Sequence, residues 1–81
     1  MDYYTAMEEA MIVAAEDSLK PTDMTRDQMI FRIGEISEIL KKSRVLDVER
    51  FLLHAERQTY RLRLQRAEQV AQRLLGGSNG K

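Results

Sequence analysis

Apolar residues recur along this chain with a helical period, in three blocks separated by short polar interruptions. In the first block Tyr4, Met7, Met11 and Ala14 recur at 3-4-3 spacing, and Tyr3, Ala6, Ala10 and Val13 widen the stripe. This predicts a helix over residues 3–18 with a tyrosine-methionine core face. Asp2 is placed to cap it, and Lys20-Pro21 ends it, because the residue before a proline is driven out of helical geometry.

The second block opens on the clearest local signal in the chain. Thr25-Arg26-Asp27-Gln28 has the form of a capping box, in which the threonine accepts from the Gln28 amide and the glutamine side chain reaches back. A helix over 26–42 follows, with Met29, Ile33, Ile36 and Leu40 as its seam and Ile30 and Ile39 beside it. Gly34 lies one position from that seam, and a glycine inside a helix predicts close approach of another backbone.

The third block, residues 45–75, is 31 residues long without glycine or proline and is stopped by Gly76-Gly77. As one helix it spans about 45 Å, too long for the other two helices to cover. A turn at Ser43 separates it from the second helix, with Ser43 or Asp47 as candidate cap. One apolar stripe holds Val45, Val48, Leu52, Ala55 and Leu62. A second holds Leu46, Leu53, Tyr60, Ala67 and Leu74, each seven apart, with Leu64 and Ala71 in support. The wide early face suits two neighbours, and the narrow later seam suits one partner helix. The expectation is an all-α fold, two shorter helices on a long C-terminal one, with residues 1–75 as a single domain and 76–81 as a tail.

At 81 residues one core supplies little stability, which favours a helical-bundle homodimer. The column Glu49, Glu56, Arg63, Val70 places charges inside the apolar sector of the third helix. An antiparallel dimer centred near residue 58 sets Glu56 close to the Arg63 of the other copy and Leu46 close to its Val70. The expected interface is therefore Leu46, Leu53, Glu56, Tyr60, Arg63, Ala67, Val70 and Leu74.

Net charge is zero, but residues 1–25 carry six acids against Lys20 while residues 26–81 carry twelve bases against seven acids. The acidic first helix is expected to pack beside the arginine-rich last one. Two arginine stripes, Arg50, Arg57 and Arg61 around His54 and then Arg66 and Arg73, are the candidate contacts for a partner or for nucleic acid. With no cysteine, neither a disulfide nor a thiolate zinc site is available. His54 has no second strong ligand three or four residues away, and it falls off the apolar stripes, toward solvent. No nucleophile with a histidine-carboxylate pair and no glycine-rich phosphate cradle is present, so no cofactor, metal, small-molecule substrate or catalysis is expected. The longest early apolar run, Ala10 to Ala15, is far short of a membrane span, and the chain reads as cytoplasmic. The function expected is a non-enzymatic module that binds another protein through helix-helix contacts: an adaptor, or a regulatory or inhibitory subunit. The alternative is a nucleic-acid-binding regulator using the arginine stripes of the C-terminal helix, with a helix-turn-helix of the second and third helices left open.

Overall fold

The computed structural model describes residues 3–42 and 44–76. It contains three helices, α1 (Tyr3–Asp17), α2 (Arg26–Lys42) and α3 (Asp47–Gly76), and no strand among the described residues. Both shorter helices pack on α3, and their backbones do not approach each other closely. The 50 Å long dimension of the molecule is set by α3, against 25 and 22 Å across.

α2 folds back antiparallel along α3. Ser37 meets Arg57 and Arg32 meets Glu56, while Met29 shares a cleft with Ala67 and Val70. These contacts lie about three turns from the connecting loop, so α2 runs along α3 for most of its length. α1 ends beside Arg63 and Arg66. Every residue from Gln65 to Leu75 is exposed, so the body of α1 lies over the earlier part of α3 and runs parallel to it.

The capping box forms as expected. The Thr25 amide donates to Oε1 of Gln28 at 2.8 Å, the Gln28 amide donates to Oγ1 of Thr25 at 3.2 Å, and the first helical bond runs from Met29 to the Thr25 carbonyl. The start of α3 differs from expectation. Its first helical bond runs from Arg50 N to the Leu46 carbonyl, so Leu46 holds the cap position and contributes no side-chain acceptor. Asp47 and Glu49 instead complement the dipole from the first turn. The candidate cap Ser43, Asp2 and the tail beyond Gly76 lie outside the described residues.

The core is small. Among the described residues Ala10, Ala14, Met29, Ile36 and Ala55 are the buried apolar ones, joined by Ser18 and Thr59, and Ile36 is the one large side chain fully removed from solvent. The buried face of α1 is rotated from the expected stripe: Ala10, Ala14 and Ser18 point inward, whereas Tyr4, Met11 and Val13 are exposed. Alanine lets α1 approach Ala55 and Thr59 more closely than tyrosine or methionine would. Thr59 turns its hydroxyl onto the Ala55 carbonyl at 2.8 Å, and Ser18 does the same to Ala15, so neither buried hydroxyl lacks an acceptor.

Gly34 also departs from expectation. It is exposed, and a Cβ built on it would meet nothing within 4 Å. No backbone of this chain approaches it, so in a helix interior it costs about 1 kcal/mol against alanine with no internal return.

Thr25→Ala is expected to lower stability by about 0.5–2 kcal/mol through loss of the cap. Ile36→Ala is expected to lower it by about 2–5 kcal/mol, with half-buried Leu53→Ala costing less. Denaturant melts check the order; Leu53→Ala exceeding Ile36→Ala would misplace the core.

Candidate interaction surfaces

Two sets of polar contacts fix the shorter helices on α3, and both use residues that the sequence assigns to partners. On one side the guanidinium of Arg32 grips Glu56 with both arms, Nε to Oε2 at 2.8 Å and Nη2 to Oε1 at 3.2 Å. The Tyr60 hydroxyl donates to the same Oε2 at 2.7 Å, and Glu35 stands 3.5 Å from the far side of Arg32. Hydrogen bonding from Arg32 is the main reason the Glu56 carboxyl is held below its ordinary range; burial opposes it and Tyr60 assists. Burial, then donation to Glu56, pushes the Tyr60 hydroxyl up.

On the other side Arg63 and Arg66 reach from α3 to the carboxyl end of α1. Arg63 Nη2 donates to the Asp17 carbonyl at 2.9 Å and Arg66 Nη1 to the Ser18 carbonyl at 3.0 Å, with Ser18 Oγ close to both arms of Arg66. The last carbonyls of a helix have no partner within it and carry the negative end of its dipole, so two guanidinium groups there act as a C-cap supplied by another helix. The Nε of Arg63 is buried without an acceptor, so Arg63 holds α1 through Nη2.

These contacts involve two residues of the expected interface. Glu56 and Arg63 are engaged inside the chain, which removes the electrostatic reason for pairing them across an antiparallel α3 dimer. Leu53 and Tyr60 are half-buried, while Leu46, Ala67, Val70 and Leu74 are exposed. The seven-residue column thus divides into a covered middle and open ends.

The arginine stripes divide too. Arg57 donates to Ser37 Oγ at 3.1 Å and lies 3.3 Å from Nδ1 of His54, and Arg66 belongs to the α1 clasp. Arg50 is half-buried, while Arg61 and Arg73 are exposed. His54 is half-buried, not directed to solvent as the helical wheel implies, because the Arg57 side chain lies across it. Burial first, then Arg57, Arg50 and Arg61, push its pKa down, which keeps the ring neutral and able to accept at Nδ1 from Arg57.

Three apolar surfaces remain open. On distal α3, Val70 is half in solvent and Leu74 is 73% exposed. A cleft between α1 and α3 is floored by Ala55, Thr59 and Tyr60 and flanked by exposed Val13 and Leu52. The outer face of α2 carries Ile30, Phe31 and Gly34. The sequence stripes miss this last surface, although two off-seam apolar residues beside an unexplained glycine signalled it.

Among the described residues no group of three or more His, Cys, Asp or Glu side chains could hold a metal ion, and no helix is long and apolar enough to cross a membrane. Comparison with models of known protein families, with curated proteins and with solved structures returns no match for this chain.

The Glu56 carboxyl gives a pH prediction. Its folded pKa is depressed, so its contribution is present above the ordinary value of 4.5 and is lost as pH falls through the folded value. Glu56→Gln should cost about 1 kcal/mol at neutral pH, as a partly exposed bidentate pair does, and should reduce the acid sensitivity of the melt below about pH 4.5. An unchanged acid limb in the variant would remove Glu56 from the account.

Proposed function

We propose that this chain is a non-enzymatic protein-binding module of adaptor or regulatory type, and that its partner docks along the distal half of α3. The observation that carries the reading is the imbalance between surface and core. Thirteen large apolar side chains are exposed among the described residues, against a single large one fully buried. The accessible surface is 6333 Å², where a compact monomer of 9.4 kDa exposes about 5,000 Å². The radius of gyration is 15.2 Å, where a compact 81-residue domain has about 12 Å. An apolar excess of this kind on a rod is what a helix-binding surface requires.

Distal α3 supplies the geometry. Ala67, Val70 and Leu74 continue the line that α2 covers further back at Leu53 and Tyr60, and a shallow cleft at Met29, Ala67 and Val70 marks where that cover stops. An amphipathic helix laid end to end with α2 would extend the same packing.

The test is recovery of partners from the native host, compared between the wild type and the pair Val70→Asp and Leu74→Asp. Both positions are exposed, so the variants are expected to melt within about 0.5 kcal/mol of the wild type while losing the partner. A partner retained by both variants would overturn the assignment to distal α3. Binding of duplex DNA that weakens steeply with salt would instead favour the nucleic-acid reading, in which Arg50, Arg57 and Arg61 contact phosphates.

A further inference from the structure

Gly34 presents a question that the fold leaves unanswered. Its φ is not positive, a Cβ there would meet nothing within 4 Å, and it sits mid-helix on the open side of α2. Neither backbone conformation nor packing within this chain calls for glycine. Beside it the surface is apolar: Ile30, Phe31 and Ile39 line a shallow depression with Glu35 and Glu38, and Phe31 is 69% exposed. Asp27 and Lys41 stand seven residues to either side of Gly34, which puts all three on one line along the helix, opposite the buried line of Met29 and Ile36. Neither Asp27 nor Lys41 belongs to an ion pair among the described residues.

We propose that this face of α2 is the contact between two copies of the chain, an antiparallel and isologous pairing of α2 with α2 that crosses at Gly34. Charge placement identifies the occupant and the direction. A two-fold axis at Gly34 matches positions equally distant from it, so Asp27 of each protomer meets the partner's Lys41, and the pair forms twice. A parallel crossing would set Asp27 on Asp27 and Lys41 on Lys41. The missing Cβ lets the helix axes approach, and Phe31 of each protomer packs beside the partner's Gly34, with Ile30 on the other flank. The helix dipole accounts for an acid near the start of α2 and a lysine near its end. It does not account for the glycine or for the exposed ring. One helix face on another lies at the small end of protein interfaces, so the dimer is a weak one. This contact is separate from distal α3, and α2 remains free to dimerise while α3 is occupied.

Sedimentation equilibrium up to several hundred micromolar, with thermal melts of dilute protein, tests the proposal. The wild type is expected to dimerise. Gly34→Ala should raise the melting temperature of the dilute monomer by a few degrees and weaken the dimer, a combination that no role inside the fold produces. Gly34→Leu should leave the monomer folded and weaken the dimer by about tenfold or more, the order of free energy that overpacking a contact costs. Asp27→Lys and Lys41→Asp should each weaken it severalfold, and the double variant should restore it. A wild type that stays monomeric throughout, a Gly34→Leu dimer as tight as the wild type, or a double charge variant no better than the singles would each overturn the assignment. The Val70→Asp and Leu74→Asp variants are expected to dimerise normally, so failure of this contact and failure of the distal-α3 reading are read separately.

Discussion

The fold depends on two arginine grips on a single rod. The backbones of α1 and α2 do not approach each other closely, so each is positioned chiefly by α3. The buried apolar residues are few and mostly small, and alanine at Ala10, Ala14 and Ala55 permits close approach without selecting a register strongly. Register is selected by geometry that tolerates little sliding. The two-armed contact of Arg32 with Glu56 fixes α2 along α3, and the donation from Arg63 and Arg66 to the Asp17 and Ser18 carbonyls fixes the end of α1. Planar guanidinium groups suit both tasks, since they present donors in a fixed fork to a carboxylate or to neighbouring carbonyls.

This division of labour shapes the surface. A grip made of long polar side chains closes off little apolar area, so the flanks of α1, the outer face of α2 and the far half of α3 stay open. The charge split of the sequence is consumed unevenly. Arg63 and Arg66 meet backbone carbonyls, not the carboxylates of α1, so Glu8, Glu9 and Glu16 remain exposed on that helix. The first helix thus keeps an exposed acidic set. A surface of that kind steers association with other macromolecules more than it stabilises the monomer.

Local features were legible in the sequence and relational ones were not. Thr25 and Gln28 need only each other, three residues apart, and both of their bonds form. The bounds of α2 and the unbroken length of α3 likewise follow from periodicity and from the positions of glycine and proline. The inward face of α1 was hidden because Tyr4, Met11, Ile12 and Val13 make nearly its whole circumference apolar, and the choice between overlapping stripes is made by how closely α3 can be approached. Glu56 and Arg63 were matched to another chain because the partners they have within this one, Arg32 and the Asp17 carbonyl, are 24 and 46 residues away. A charge inside an apolar sector signals a specific partner, but the sequence does not say on which element that partner lies.

The same reasoning separates charges already used from charges still unpaired. Arg32, Glu56, Arg63 and Arg66 break the apolar pattern and are answered within the chain. Gly34 and Phe31 break the pattern of α2 and are not answered within it. A residue costly to its own helix, with nothing near it to explain the cost, places its reason outside the molecule. A large exposed ring beside it makes that exterior reason a contact, and charges of opposite sign two turns away on either side make the contact directional. In a chain whose core holds one large buried side chain, association is a direct extension of the folding problem: the apolar surface that two clasped helices leave uncovered is the surface available for another helix to cover.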